Sequence, residues 1–307
     1  MSVARSQFLE NLTGLNQAVK LDDVAAGNTS ANVSPGILIL RRGILIATLV
    51  ALEAFVRDRT AELLQNLGRW PARFQDLPQA LRDASLLNAL PNLQKYAAML
   101  KRQGEDYEAE LISQIKKMAS AQGPALEFTK FIAGDYTGNI SDESFKSLLA
   151  NFQIKDCWNN FRGFSSDIGL GVPSVHEVMK EIVRKRHRSA HSAGFAPSPT
   201  DISGLSKNLL CLGICFDVAM TSSIEQAIVH PNDWTDGKHS WRNGVDLYFV
   251  DPERKRYRLV KHGKLRALRV VNSSFDSRRF IPRPLPGRTA VLVERDLSKI
   301  PISWAIL

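Results

Sequence analysis

The sequence predicts an α+β protein in which a helical bundle, residues 1–230, is followed by a small, basic, antiparallel β domain, residues 231–307. Apolar residues recur at the 3.6-residue spacing of helices throughout the first region. In the second region, short runs of β-branched and aromatic residues are separated by turn sequences such as His262-Gly263. Residues 231–307 also hold 16 Lys and Arg against 8 Asp and Glu, whereas the preceding 230 residues hold 24 against 23. Such a basic region attracts polyanions, although a solvated basic surface is the alternative.

Helices and strands are placed by apolar periodicity and turn residues. A first amphipathic helix is expected over 2–19. A longer one is expected over 35–67, and its start is placed at residue 35 because proline is favoured in the first helical turn. Charged residues interrupt the apolar run 37–56, which predicts a buried helix and not a membrane span. The other expected helical regions are 70–120 (several short helices), 142–150, 153–161 and 201–229, with a connector at 123–140. The expected strands are 245–250, 256–261, 265–271, 289–294 and 300–306.

The most informative motif lies on a helix expected from residue 175 to about His191. Ser174 and Glu177 form a capping-box pattern before it, and Gly194 with a following proline marks its end. On a helical wheel, the face that would meet the core contains Val175, Val178, Met179, Ile182, Val183 and Ala190.

Arg186 falls in the middle of this apolar face. An unpaired guanidinium would be costly there, so it must meet an acid, a polar interface or an anionic ligand. Glu53, or Asp58 further along the second predicted helix, is a candidate internal partner. A structural arginine–glutamate pair and an anion-binding arginine are therefore both open.

Two histidines lie at the edge of the same face. His187 and His191 are about 40° apart on the wheel. Further basic residues lie beyond them at Lys180, Arg184, Lys185 and Arg188. A histidine can take the proton of a ribose 2′-hydroxyl near neutral pH, and arginine can bind the phosphate and stabilise transition-state charge. The nucleophile then belongs to the substrate, so neither a metal nor another cofactor is expected. Arg184, Lys185 and Arg188 are predicted to bind substrate.

Helix geometry sets a condition on this chemistry. Residues five apart project about 140° from each other on a regular helix. Arg186 and His191 can therefore converge only if the helix unwinds near its end, or if a second subunit contributes its own copy. The Arg-x4-His spacing alone is weak, since 24 Arg and 6 His in this chain give roughly 0.5 such pairs by chance.

The segment 186–191, RHRSAH, resembles the signature of HEPN (higher eukaryote and prokaryote nucleotide-binding) domains, in which an arginine and a polar residue precede a histidine. The run 41–66, which contains LEAFVRD, is similar to an early helix of bacterial HEPN proteins of the RiboL-PSP type. The resemblance covers roughly residues 1–230. It implies an all-α bundle that dimerises to place two motifs in one composite site. It also implies metal-independent RNA cleavage that leaves a 2′,3′-cyclic phosphate.

By motif position, the resemblance makes Arg186 and His191 the expected catalytic residues, with His187 at the polar position that orients the site. It further implies a toxin or an antiviral abortive-infection effector, with RNA, a second copy of the chain and an antitoxin or regulatory protein as partners. Family toxins that are silenced by adenylation carry a tyrosine where this chain has Ala193, so that form of control is not expected. The three cysteines favour a cytoplasmic location, without a membrane.

An alternative function is a non-catalytic nucleic-acid-binding or sensor protein in which Arg186 is a buried structural cation. Cys211 and Cys215 share a helix face without further metal ligands nearby and are expected in the core. Trp234 and Trp241 could stack on bases, but hydrophobic-core positions are the favoured interpretation.

Overall fold

The helices form where periodicity and capping residues favour them. In the computed structural model, which describes residues 2–27, 34–123 and 125–307, the helices are α1 (Val3–Gly27), α2 (Pro35–Leu67), α3 (Gln79–Asp83), α4 (Ala89–Gln103), α5 (Tyr107–Ala119), α6 (Asp142–Asn151), α7 (Cys157–Asp167), α8 (Val175–His191), α9 (Pro199–Ile202), α10 (Leu205–Val229) and α11 (Pro231–Thr235). A π-helical segment, Ala84–Asn88, joins α3 to α4. The predicted bounds of α2 and α8 are confirmed. In α2, the Ser34 hydroxyl accepts a hydrogen bond from the Ile37 amide.

Three predicted helices were wrong in their bounds. Helix α1 continues to Gly27 instead of ending near residue 19. The helix expected over 153–161 instead covers Cys157–Asp167, and it begins only at Cys157 because Gln153 and Asp156 adopt positive φ angles of 59° and 46°. The helix expected over 201–229 is divided into α9 and α10 at Gly204, whose φ of 75° is accessible to glycine but rare for other residues.

Helix α2 lies at the centre of the bundle and contacts α1, α8 and α10. Its core-facing leucines, such as Leu49 and Leu52, have no exposed surface. Helix α10 is buried along most of its length. The stretch Pro199–Val229 is long and apolar enough to cross a membrane by composition, but 72% of its most apolar window is buried inside the fold, as is typical of a core helix.

The C-terminal strands form one mixed sheet. The strands are β1 (Val245–Glu253), β2 (Arg256–Lys261), β3 (Arg269–Val271), β4 (Thr289–Arg295) and β5 (Pro301–Ile306), in the order β3-β2-β1-β4-β5. The prediction of an antiparallel sheet was wrong in one respect, since β1 and β4 are parallel. The chain between β3 and β4 contains the 3-10 helix Phe275–Phe280 and is long enough to return the chain to the start of β1.

The two faces of the sheet have different neighbours. One face, which we call the inner face, carries Leu247, Phe249, Val293 and Trp304 and shares one hydrophobic core with the helices. The outer face carries a smaller cluster that includes Tyr248, Val250, Leu259 and Leu292. Residues of this cluster pack against Ile281, which follows the 3-10 helix. The division into a bundle (1–230) and a β domain (231–307) stays a prediction.

A buried charge network joins helices and sheet at Asp217 of α10. Its carboxylate has no exposed surface and accepts hydrogen bonds from Arg5 Nε and Arg59 Nε at 2.6 Å each. The indole Nε1 of Trp304 donates a third, at 2.8 Å. Burial works to raise the pKa of Asp217, but the charges and hydrogen bonds of the two arginines outweigh it and hold the pKa below its ordinary value of 3.8. Asp217 therefore remains ionised in the core.

Candidate functional site

The 186–191 segment forms the C-terminal end of α8, and α8 packs against α2. The Ser174 hydroxyl accepts a hydrogen bond from the Glu177 amide, whereas the Glu177 side chain pairs with Lys180, so the predicted capping box is only half formed. The buried positions of α8 are Val175, Met179, Ile182 and Ser189. The placement of Ala190 on the buried face was wrong, since Ala190 is exposed. Steps of three or four residues from Ile182 lead along the same helix face to Ser189, which is buried instead.

Arg186 continues this stripe, and no residue within 2–27, 34–123 or 125–307 pairs with its side chain. It is half-buried and forms no salt bridge with any residue that the structure describes. Its Nε is buried without a hydrogen-bond acceptor. The side chain as a whole is only half-buried, so part of the guanidinium group remains open to an anionic ligand or a second protein surface.

Glu53 lies within electrostatic reach of Arg186 without pairing with it. The Glu53 carboxylate accepts a hydrogen bond of 2.5 Å from the backbone amide of Ile140. Burial raises the pKa of Glu53, and this is only partly offset by that hydrogen bond and by the charges of Arg57 and Arg186. Burial and the charge of Glu62 also raise the pKa of Asp58, the other candidate partner. The buried arginine–glutamate ion pair that we considered is therefore not formed at contact distance.

The two motif histidines are neighbours on the exposed side of α8. The ring centroids of His187 and His191 are 4.8 Å apart, with an angle of 48° between the rings. Both side chains are exposed. The proximity expected for residues four apart on a helix is confirmed. Two imidazoles at this separation can contact one substrate group, or donate and accept protons on either side of it.

The segment after α8 is held by two arginines of α2. Arg42 donates hydrogen bonds to the carbonyl oxygens of Ala193 and Phe195, including one of 2.8 Å from Nε to Phe195. Arg41 donates from Nη1 to the Pro197 carbonyl at 3.2 Å and from Nε to the buried Asp22 carboxylate at 2.8 Å. These arginines therefore fix the backbone that leaves His191. In the sequence, Arg41 and Arg42 are recognisable only as two of the charged residues that interrupt the apolar run 37–56.

The predicted substrate-binding residues differ in how far they are already engaged. Arg184 pairs with Glu181 at 2.6 Å, and Lys185 pairs with Asp201 at 3.2 Å. Arg188 is exposed, and its guanidinium carbon lies 4.1 Å from the centre of the Phe195 ring. Arg188 is therefore the one of the three predicted residues whose charge faces no carboxylate within the described chain.

Helix α8 stays regular through His191, and Ser192 is the first extended residue after it. Unwinding of the helix before His191 therefore does not bring Arg186 and His191 together. Side chains five apart on a regular helix diverge, so Arg186 points along the buried stripe while His191 is exposed. Of the two routes to convergence, only a second subunit is compatible with this geometry.

Several residues outside the 186–191 segment have structural roles. His176 Nε2 and Asp142 Oδ2 are hydrogen-bonded at 2.9 Å. The imidazole of His176 is also stacked on the ring of Trp158, with the centroids 4.7 Å apart. Trp234 and Trp241 are buried, which confirms the core interpretation. The free thiols Cys211 and Cys215 are also buried. Over the described ranges, no group of three or more His, Cys, Asp or Glu side chains is arranged to hold a metal ion.

Comparisons with protein-family models, with curated proteins and with solved structures found no match to this chain.

Proposed function

We propose that this protein is a metal-independent endoribonuclease whose catalytic residues are Arg186, His187 and His191. One observation carries the proposal. At the end of α8, an arginine whose Nε has no hydrogen-bond partner lies on the same helix as two exposed imidazoles whose ring centroids are 4.8 Å apart. An anionic phosphate would satisfy the guanidinium, and the imidazoles would supply proton transfer.

The proposed reaction is transesterification within the RNA. One imidazole takes the proton of a ribose 2′-hydroxyl, and the 2′-oxygen attacks the adjacent phosphorus. The bond from phosphorus to the 5′-oxygen breaks, and a second protonated imidazole donates a proton to that leaving oxygen. The products are a 2′,3′-cyclic phosphate and a 5′-hydroxyl. Arg186 stabilises the negative charge that accumulates on the phosphate oxygens in the transition state.

The active form proposed here is a homodimer. Because α8 is regular, Arg186 and His191 of one chain diverge, whereas Arg186 of one protomer and His191 of its partner can face a common phosphate. The exposed position of His187 and His191 supports this arrangement, since an interface can form over them. The biological role we propose is that of a cytoplasmic toxin or antiviral effector controlled by a partner protein.

The test is an RNA-cleavage assay in EDTA. Wild-type protein should degrade total RNA, and His191→Ala should lose at least about 100-fold of the rate, since general acid–base catalysis is worth that much. His176→Ala is the matched control, because His176 lies on the same helix but pairs with Asp142. Intact RNA with the wild type, or equal loss in both variants, would refute the proposal.

The second candidate is a non-catalytic nucleic-acid-binding or sensor protein. It is favoured by one observation, that Arg186 is half-buried on a helix that packs against α2, as a structural cation would be. It predicts that Arg186→Ala lowers the melting temperature by several degrees while RNA binding persists. Loss of RNA cleavage at unchanged stability would exclude it.

A further inference from the structure

The strongest charge asymmetry in the chain lies in residues 254–288. This segment contains 12 Lys and Arg and one acidic residue, Asp276, whereas the other residues together hold 28 Lys and Arg against 30 Asp and Glu. The segment comprises β2, the edge strand β3, the 3-10 helix Phe275–Phe280 and their connections. We call it the basic edge. The excess positive charge of the protein is therefore concentrated in the strands β2 and β3 and in the connection that leads from β3 to β4.

Most of this charge is available to a ligand. Four of its basic residues form salt bridges, namely Arg258, Lys261, Arg279 and Arg288. The other eight form none with any residue of the described ranges: Arg254, Lys255, Arg256, Lys264, Arg266, Arg269, Arg278 and Arg283. Nine of the twelve are arginines, which suit bidentate contacts with phosphate better than lysines do. The charge pattern therefore fits a polyphosphate ligand.

Two exposed phenylalanines lie among these arginines. Phe275 is 60% exposed, and the guanidinium carbon of Arg278 lies 5.4 Å from the centre of its ring. Phe280 is 43% exposed, and the guanidinium carbon of Arg269 lies 5.0 Å from the centre of its ring. An exposed ring beside a guanidinium offers a stacking surface for an unpaired base and a cation for the adjoining phosphate. Two such pairs lie on one short segment.

We propose that the basic edge is a docking surface for single-stranded RNA, in which Phe275 and Phe280 stack on bases and the free arginines bind the phosphates. Unpaired bases are required because the bases of a duplex are stacked on one another and cannot reach a protein ring. The inference rests on the proposed function in one respect, namely that the docked RNA is the substrate cleaved at α8.

Binding is measured with the full-length His191→Ala protein, so that the RNA probe stays intact. The probe is a fluorescent 20-nucleotide single-stranded RNA, compared with the duplex of the same sequence by anisotropy. Phe275→Ala/Phe280→Ala should weaken single-strand binding at least about tenfold, and should affect the duplex less. Loss of affinity should occur at an unchanged melting temperature, because both rings are exposed.

The proposed contacts between arginines and RNA phosphates are tested by the triple variant Arg254→Gln/Arg266→Gln/Arg283→Gln. Removing three phosphate contacts should reduce the slope of log affinity against log salt by about 2, since each contact to a single strand contributes roughly 0.7. Lys101→Gln/Arg102→Gln/Lys116→Gln is the matched control, because it removes three exposed charges from α4 and α5. The control should change the slope little.

Several results would overturn the docking surface. These are an unchanged affinity in both basic-edge variants, an equal loss in the control, or binding to vesicles that contain phosphatidylglycerol but not to RNA. The nuclease proposal fails separately. If wild-type protein binds the probe and never cleaves it, the active-site assignment is wrong while the docking surface stands. If the basic-edge substitutions change neither binding in the His191→Ala protein nor cleavage in the wild-type background, only the docking surface is wrong.

Discussion

The indole Nε1 of Trp304 donates a hydrogen bond of 2.8 Å to Oδ2 of Asp217, a carboxylate with no exposed surface. Through Arg5 and Arg59, the same carboxylate also joins the first two long helices to α10. One buried acid therefore connects three helices of the bundle to the last strand of the sheet. Two of these helices, α2 and α10, also contact α8.

Asp217→Asn should lower the free energy of unfolding by about 3 kcal/mol or more at pH 7, because it removes the carboxylate that pairs with the buried Arg5 and leaves the buried Arg59 with Glu62 alone. The pKa of Asp217 is lowered in the folded protein, so its stabilising effect is complete above its ordinary pKa of 3.8 and is lost as the pH falls through the lower, folded-state value. Urea unfolding at pH 7 and at pH 3 measures both effects. Trp304→Phe, which removes its hydrogen bond to Asp217 and leaves a cavity in the core, should cost about 2 kcal/mol or more. An Asp217→Asn protein as stable as the wild type at pH 7 would contradict the network.

Glu53→Gln should raise the melting temperature at pH 8 and leave it nearly unchanged at pH 4. Burial raises the pKa of Glu53 above its ordinary 4.5, so the ionised form carries a cost in the folded state that disappears as the carboxyl protonates. Glutamine keeps an oxygen that can accept the hydrogen bond from Ile140. Glu105→Gln is the control, since Glu105 is exposed. A lower melting temperature at pH 8 would instead indicate that Glu53 stabilises Arg186 as an ion pair.

Arg42→Met should reduce RNA cleavage by about tenfold through kcat while the KM for RNA changes little. The substitution removes the donors that hold the carbonyls of Ala193 and Phe195, and misplacement of a catalytic group by about 1 Å is enough for such a loss. Limited proteolysis should also cleave the 192–197 segment faster. Arg42→Lys should recover part of the rate, and Arg69→Met, an exposed arginine just beyond α2, should behave as the wild type. Unchanged kcat in Arg42→Met would show that this segment does not position His191.

Mixing Arg186→Ala and His191→Ala chains should restore activity that neither variant has alone. In a mixed dimer, one chain supplies Arg186 and the other supplies His191, so one of the two catalytic pairs is intact. With random re-association after unfolding, half of the dimers are mixed, and the expected recovery is about a quarter of the wild-type rate. Each variant refolded alone is the control. If the mixture stays inactive although mixed dimers form, Arg186 and His191 do not act across an interface.

Local signals were sufficient for the elements that position the candidate site. The proline at position 35 and Ser174 define the starts of α2 and α8, and the burial of Trp234 and Trp241 was expected from their size. Such signals operate within a few residues, so they do not depend on how the chain is packed.

Long-range relationships could not be read in the same way. The parallel pairing of β1 with β4 depends on the path of the chain between β3 and β4, which has no local signature. The contacts of Arg42 with Ala193 and Phe195 join positions about 150 residues apart, and only a tertiary structure reveals them.

The chemistry of the RNA ends after incubation in EDTA tests the proposed reaction at its defining step. Wild-type protein should produce fragments with 2′,3′-cyclic phosphate and 5′-hydroxyl ends, because the 2′-oxygen is the nucleophile and the 5′-oxygen is the leaving group. His191→Ala, with a circular dichroism spectrum and melting temperature like those of the wild type, should produce none. RNA that remains intact with the wild type, or fragments with 5′-phosphate and 3′-hydroxyl ends, would contradict the assignment of Arg186, His187 and His191 as a ribonuclease site.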